Sequence, residues 1–481
     1  MNPIDTTADP VSGGLRKVSS GICGLDEVLH GGLPQGRSTL IKGKAGTGKT
    51  VLGLEFLYRG AVEGEPAIFV SFEESAEAIR ANALSMGWDL AALEASGKFF
   101  LWEASIDFNA VISGQFTLDA LLAIIAGKAR EMGARRIMID ALDVLLSIFE
   151  DPVRERSQLR ALHGWVVEQQ FTAILTAKGG QRHRGRAHEY ESLDYMSDCV
   201  IFLDARVNEQ VTTRRLRVVK YRGSGFCSNE YPYVVTPEGS TIMPITAVHL
   251  QHRPFGERVS SGHDTFDRIL GGGYFRGSTI LISGLTGSGK TTLAAVFSKG
   301  ACSRREKVLY ISFEESQEAI ITAMRSPGIG LQQCVDEGLL DFWTIMPEAL
   351  VPEEHLFRVL QRIEAFKPDH VIIDAISATH RMNTEEAAFD FLVRFVGDCK
   401  EKGITCLMIN QLNSNHWPED ISGVGLSSVI DTVVALSLVE VRGEMQRSLI
   451  VIKSRGTQHS HRRHMYEITD DGVRLSWGGY R

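Results

Sequence analysis

Two stretches of the chain fit GxxxxGK[ST]. One is Gly43-Lys44-Ala45-Gly46-Thr47-Gly48-Lys49-Thr50. The other is Gly284-Leu285-Thr286-Gly287-Ser288-Gly289-Lys290-Thr291, with Thr292 following. Glycines at those places let successive backbone N–H groups curl around a phosphate, and a helix opening behind them adds favourable positive potential. Lys49 and Lys290 are spaced to reach the β- and γ-phosphates, while the hydroxyls of Thr50 and Thr291 are spaced to hold Mg²⁺. Each motif follows a β-rich run and opens a helix-like one, the context that gives the pattern its meaning. The expectation is two sites for ATP with Mg²⁺.

Two further sets of carboxylates belong to the same chemistry. Asp140 and Asp374 each end an apolar run, "IMID" and "VIID"; a carboxylate there is the expected partner of Mg²⁺, although it would also serve as an N-cap for the next helix. The acidic pairs Glu73-Glu74 and Glu314-Glu315 lie in "SFEESAEAIR" and "SFEESQEAII", one strand after each phosphate loop. A carboxylate leaving the sheet at that edge can orient and deprotonate a water attacking the γ-phosphate. Glu73 and Glu314 are assigned as bases, with Glu74 and Glu315 tuning them through like charge. The alternative is a pair of helix N-terminal carboxylates steadied by the helix dipole.

The elements that position these residues come twice. An offset of 241 residues separates Gly43 from Gly284 and Glu73 from Glu314; 234 separates Asp140 from Asp374, and 233 separates Arg222 from Arg455. Constant order with small drift indicates a tandem duplication of one domain, expected at 1–247 and 248–481. In the first copy "STLIKG", "AIFVSF", "RRIMID", "TAILTA" and "CVIFLD" read as buried strands. "KTVLGLEFLYRGAV" and "FTLDALLAIIAGKAREMG" read as helices. Alternation of the two implies an α/β fold, a mostly parallel sheet covered by helices on both faces. Late runs such as "RRLRVVKYRG" and "EYPYVVT" add an antiparallel extension.

The bulk numbers narrow the class. A formal net charge of −8 is no electrostatic match for a polyanion as a whole. No apolar run approaches the roughly 20 residues that span a bilayer. The N-terminus lacks the basic and apolar regions of a secretory signal, and the seven cysteines show no CxxC spacing. A soluble, reducing, cytoplasmic setting is expected.

A P-loop domain with a strand-end glutamate one element later resembles the RecA fold. Its tandem form, with "SFEES" twice and the segments "VVKYRGSGFCSNEYPY" and "VEVRGEMQRSLIVIKSRGTQH", resembles the KaiC family of circadian clock ATPases and autokinases. The resemblance implies a ring, a homo-hexamer, with ATP held between neighbouring subunits. It implies that Lys220, Arg222, Lys453 and Arg455 face the neighbour's γ-phosphate, although basic residues on an exposed strand are also ordinary solvated charges. It places Ser85, in "NALSMGW", and His459 against nucleotide, while Phe226 stands where the first copy would carry the matching histidine. It assigns Ser427 and Ser428, in "ISGVGLSSVIDTVV", as phosphosites, and Arg381 as a partner for the phosphate; the two serines could equally just begin an element. "TAMRSPGIGLQQC" departs from "NALSMGW" by Pro327 and an extra residue. Only 26 residues follow Arg455, shorter than the tail through which a KaiA activator acts, so KaiA-type regulation is not expected and a KaiB-like partner remains open.

A competing class is a RecA- or helicase-like DNA-dependent ATPase. The basic loop "AKGGQRHRGRAHEY", from Ala177 to Tyr190, sits where such proteins touch DNA, yet the second copy has the non-basic "QLNSNHWPEDISG" there. With the negative net charge this favours a solvated loop over a nucleic-acid partner. A third reading is a signalling scaffold that uses ATP mainly to assemble.

Overall fold

The computed structural model describes residues 15–104, 118–146, 152–179, 191–208, 211–243, 256–382, 384–412 and 425–476. The chain divides into two compact units, Met1–Ile245 and Thr246–Arg481.

In the first unit a short antiparallel ribbon, β1 (Lys17–Val18) with β2 (Leu33–Pro34), precedes the main sheet. That sheet is built from β3 (Ser38–Gly43), β4 (Ala67–Ser71), β5 (Phe99–Glu103), β6 (Arg136–Asp140), β7 (Thr172–Lys178), β8 (Cys199–Asn208), β9 (Val211–Tyr221), β10 (Glu230–Thr236) and β11 (Gly239–Ile242). Their order is β11-β10-β9-β8-β3-β7-β6-β4-β5. The strands from β8 to β5 run parallel, and β9, β10 and β11 extend the sheet antiparallel.

Parallel strands joined through helices are covered on both faces, and the buried residues show it. Ile41, Phe69, Met138, Ile174 and Ile201 enter one apolar cluster, while Leu40, Ile68, Val70, Ile137 and Val200 enter the other. Successive side chains thus go to opposite cores, which is why these runs read as continuous apolar stretches. The helix Lys49–Glu63 packs Leu52, Phe56 and Leu57 into the first cluster.

The second unit repeats the plan. It comprises β12 (Arg258–Val259), β13 (Tyr274–Phe275), β14 (Thr279–Gly284), β15 (Val308–Ser312), β16 (Leu340–Thr344), β17 (His370–Asp374), β18 (Thr405–Gln411), β19 (Thr432–Val441), β20 (Glu444–Ser454), β21 (His464–Thr469) and β22 (Gly472–Leu475). β12 pairs with β13, and the others follow the order β16-β15-β17-β18-β14-β19-β20-β21-β22. Both units have the tandem RecA-like P-loop architecture expected from the sequence. The antiparallel extension has one strand more than the two runs read for it, because β11 and β22 are only four residues long. The edge strands β5 and β16 were not foreseen either; they follow short helices and end the sheet without a turn signal.

Candidate nucleotide sites

Each phosphate loop leaves the carboxyl end of a central strand and becomes a helix. Gly48 and Gly289, at the N-caps of Lys49–Glu63 and Lys290–Ser303, have φ of 86° and 92°, left-handed values that strain any residue with a Cβ. Gly43 is small for another reason: a Cβ there would lie 2.5 Å from the Leu203 carbonyl oxygen and 2.6 Å from Thr47 Oγ1. Thr47 Oγ1 donates to the Lys44 carbonyl at 2.8 Å, and Ser288 Oγ to that of Leu285 at 2.7 Å. Lys49 Nζ donates to Lys44 O at 3.1 Å; Lys290 Nζ donates to Gly284 O at 2.9 Å and Leu285 O at 2.8 Å. Burial pushes both ammonium pKa values down, opposed at Lys49 by Asp140, Asp143 and Glu73 and at Lys290 by Asp374 and Glu314. A cation so placed can exchange carbonyl partners for phosphate oxygens.

Asp140 and Asp374 end β6 and β17 beside these loops. Thr50 Oγ1 donates to Asp140 Oδ2 at 2.8 Å and Thr291 Oγ1 to Asp374 Oδ2 at 2.9 Å. Neither carboxylate is spent on capping the next element. A second donor differs between the copies: Thr176 of β7 for Asp140, and Tyr310 of β15, at 2.8 Å, for Asp374. Burial raises both carboxyl pKa values, and these hydrogen bonds pull them back.

The acidic pairs follow directly. Phe72 N–H donates to the Asp140 carbonyl and Phe313 N–H to that of Asp374 at 2.8 Å, which fixes the next residue, Glu73 or Glu314, beside the aspartate. The helices beyond are capped by Ser75 and Ser316, so the glutamates stand ahead of the caps. Lys178 Nζ donates to Glu73 Oε1 at 2.7 Å. Glu74 accepts from Asn82 at 3.4 Å, and Glu315 N–H donates to Ser312 Oγ at 3.0 Å. Arg381 Nη2 approaches the Phe313 carbonyl at 3.5 Å, while its Nη1 pairs with Glu348 at 3.3 Å.

The KxRG cations lie away from the loop of their own unit. Lys220 and Arg222 stand at or just past the end of β9, opposite the start of β8, whereas Gly43 is level with Leu203 farther along β8. They therefore occupy the amino edge of the sheet, the edge opposite their own phosphate loop. There Lys220 Nζ donates to the carbonyls of Asp194, Tyr195 and Ser197, and Arg222 Nη2 to that of Tyr195. Lys453 and Arg455 hold the same place in the second unit, bonding to Ile430 O and Ser428 O at 2.7 Å each. Ser428 ends the 3-10 turn Leu426–Ser428 and is exposed; of Ser427 only its place in that turn is described. His459 lies past β20 against His461, with Nε2 buried and unpartnered. Ser85 closes the helix Ala76–Ser85 and donates to Asn82 O at 2.7 Å, and the Asn82 side chain in turn donates to Glu74. Of the basic stretch 177–190, residues 180–190 lie outside the described residues.

Five functional neighbours were not anticipated: Thr176, Lys178, Tyr233, Tyr310 and Tyr466. Tyr233 on β10 donates its hydroxyl to the Thr47 carbonyl, and Tyr466 on β21 to that of Ser288, so the antiparallel extension holds each phosphate loop from behind. The repeat carried the signal, since these tyrosines recur at the same 233-residue offset as Arg222 and Arg455.

Comparison with known proteins agrees with this geometry. A family description reading "ATPase: KaiC" matches residues 18–247 and again 259–479. The chain is 39% identical over 465 residues to the circadian clock protein KaiC2 of Synechocystis sp., covering 96% of this chain and 81% of that protein. It is 35% identical over 471 residues to the circadian clock oscillator protein KaiC of Parathermosynechococcus lividus, covering 97% and 87%. To the KaiC of Synechococcus elongatus it is 34% identical over 460 residues, covering 95% and 88%. With two phosphate loops, each beside a strand-end aspartate and an acidic pair, and matches across both repeats, the chain belongs to the KaiC family of ATPases.

Proposed function

We propose that both units hydrolyse ATP with Mg²⁺, that the chain works in the cytoplasm as a six-membered ring, and that the second unit also phosphorylates Ser427 or Ser428 of a neighbouring copy. The oxygen ligands suit the metal: a hydroxyl and a carboxylate 2.8–2.9 Å apart, both hard donors. Thr50 with Asp140 and Thr291 with Asp374 would hold Mg²⁺, which would neutralise charge on the β- and γ-phosphates. Among the described residues no cluster of three His, Cys, Asp or Glu side chains could hold a metal by itself, so phosphate and water would complete the shell.

The protein's own part is to position and to take a proton. In the first unit a water oxygen attacks the γ-phosphorus, the bond to the β-phosphate oxygen breaks, and Glu73 accepts the water proton. In the second unit Glu314 does the same for water or for a serine hydroxyl, whose oxygen then carries the phosphoryl group. Lys49 and Lys290 stabilise the charge in place. The observation that carries the ring is the position of the KxRG cations: Lys220, Arg222, Lys453 and Arg455 lie at the sheet edge opposite the loops of their own units, a placement that suits a phosphate held by a neighbouring copy. The kinase reading draws support from the exposure of Ser428 on a turn whose carbonyl Arg455 holds. The clock names of the relatives support a regulatory role.

The test is phosphopeptide mass spectrometry of the full chain incubated with Mg²⁺-ATP, parent beside Glu314→Gln. Phosphate on Ser427 or Ser428 in the parent and its loss in the variant are expected. Hydrolysis without phosphate on either serine would reduce the protein to a ring ATPase.

A further inference from the structure

The two sites differ in charge at the mouth of the loop. β7 and β18 flank the phosphate-loop strands in the same register, with Lys178 level with Gly43 and Gln411 level with Gly284. Three residues after each strand-end aspartate the copies differ again, Asp143 against Ser377. The backbone link between these positions is kept: Lys178 N–H donates to Asp143 Oδ1 at 3.1 Å, and Gln411 N–H to Ser377 Oγ at 3.3 Å. The ionic link is not. Lys178 Nζ donates to Glu73 Oε1 at 2.7 Å and lies 3.5 Å from Asp143 Oδ2, whose side chain is 5% exposed. Among the described residues no cation lies within ion-pair distance of the Glu314 carboxylate.

We propose that Lys178 is a positioning residue, present in the first site alone, that restrains Glu73 and holds that site's turnover below its intrinsic rate. The proposal rests on Glu73 being the base. A base must offer a lone pair to the water proton in the right direction. The ammonium occupies one such lone pair and ties the carboxylate to β7, so Glu73 reaches the water only after the pair loosens. The hydrogen bond to Glu73 pushes the Lys178 ammonium pKa up, burial opposes it and the charge of Asp143 adds to it, so the restraint is charged at neutral pH. The second site carries a neutral amide in this place and a base free of it.

The test uses the full chain with the second site silenced by Lys290→Ala, measuring steady-state hydrolysis against ATP concentration. Lys178→Gln, which installs the second copy's own residue, is expected to raise kcat about two- to fivefold at unchanged KM. That is the range set by the loss of one half-exposed ion pair. Lys178→Arg should keep the parental kcat, and Gln411→Lys, with the first site silenced by Lys49→Ala, should lower kcat at the second. A fall in kcat or a rise in KM with Lys178→Gln would make the lysine a phosphate ligand and overturn the proposal, as would no change in either. Glu73→Gln separates this from the base assignment. If it hydrolyses at the parental rate, the base is elsewhere; if it is inactive while Lys178→Gln is unchanged, only the restraint fails. Gln411→Lys keeps the proposal testable should Lys178→Gln misfold.

Discussion

Tyr233→Phe isolates what the antiparallel extension does for the first phosphate loop. The ring stays, so the packing of a residue only 2% exposed is preserved and no cavity larger than a hydroxyl opens. What is lost is the donor to the Thr47 carbonyl, which belongs to a residue that is itself fully buried. A buried acceptor left unpaired costs about 1–3 kcal/mol. That cost can be taken in two ways. If the loop keeps its shape, the unit loses the whole amount in stability, and its melting temperature falls by about 2–4 °C per kcal/mol for a domain of this size. If the loop turns its carbonyl toward water instead, the phosphate cradle deforms and ATP affinity falls, at most about 5- to 150-fold for the same energy. Calorimetric melting and nucleotide titration of the full chain carrying Lys290→Ala in the second site divide the cost between the two. Their sum should reach at least about 1 kcal/mol. A melting temperature within about 1 °C and a Kd within about twofold of the parent would refute the idea that the tyrosine supports the loop. Tyr466→Phe should repeat the result at the second site, where its hydroxyl meets the Ser288 carbonyl.

Two other substitutions follow from the packing. Gly43→Ala forces a methyl to within 2.5 Å of the Leu203 carbonyl, so nucleotide titration should show the first site lost and the second retained. Burial alone would raise the Glu306 carboxyl, but hydrogen bonds from His370 and Arg276, with the nearby charge of Arg304, hold its pKa at about 2. The group is depressed from 4.5, so its stabilisation is fully present above that pH and drains away as pH falls toward 2. Glu306→Gln should therefore destabilise the second unit at pH 7 by about 1–2 kcal/mol, discounted for solvent reaching the arginines, and denaturant melts should show the gap closing between those pH values.

Much of this arrangement could be read from the residues because its signals are local. "STLIKG" is β3 to the residue, and a loop spaced GxxxxGK[ST] has little choice but to sit between a strand and a helix. The places of Asp140 and Glu73 were legible for the same reason, since in both copies the aspartate ends a strand and the glutamate stands two residues past one. Contacts made by partners far apart in sequence were not. Nothing about the tyrosine in "EYPYVVT" marks it as a ligand of Thr47, since an aromatic in a buried strand usually just packs. Lys178 was read as part of a basic loop because charge invites that assignment, whereas it is the last residue of β7 and faces Glu73. The exchange of Thr176 for Tyr310 as second donor to the aspartates shows that even an aligned repeat conceals which strand supplies a hydrogen bond.

The tyrosine brace has a consequence for how the protein comes off the ribosome. Thr47 and Tyr233 are 186 residues apart, and Ser288 and Tyr466 are 178 apart. At about 5–20 residues per second, the first loop waits roughly 10–40 s after its own synthesis before its brace emerges. Nascent chains stalled before β10 should thus bind ATP poorly, and chains extended past β11 should bind it well, a contrast that a nucleotide-analogue pull-down of stalled ribosomes would read. Each half of the molecule would become a nucleotide site only when nearly all of that half exists, so a product terminated before β10 would not compete for ATP.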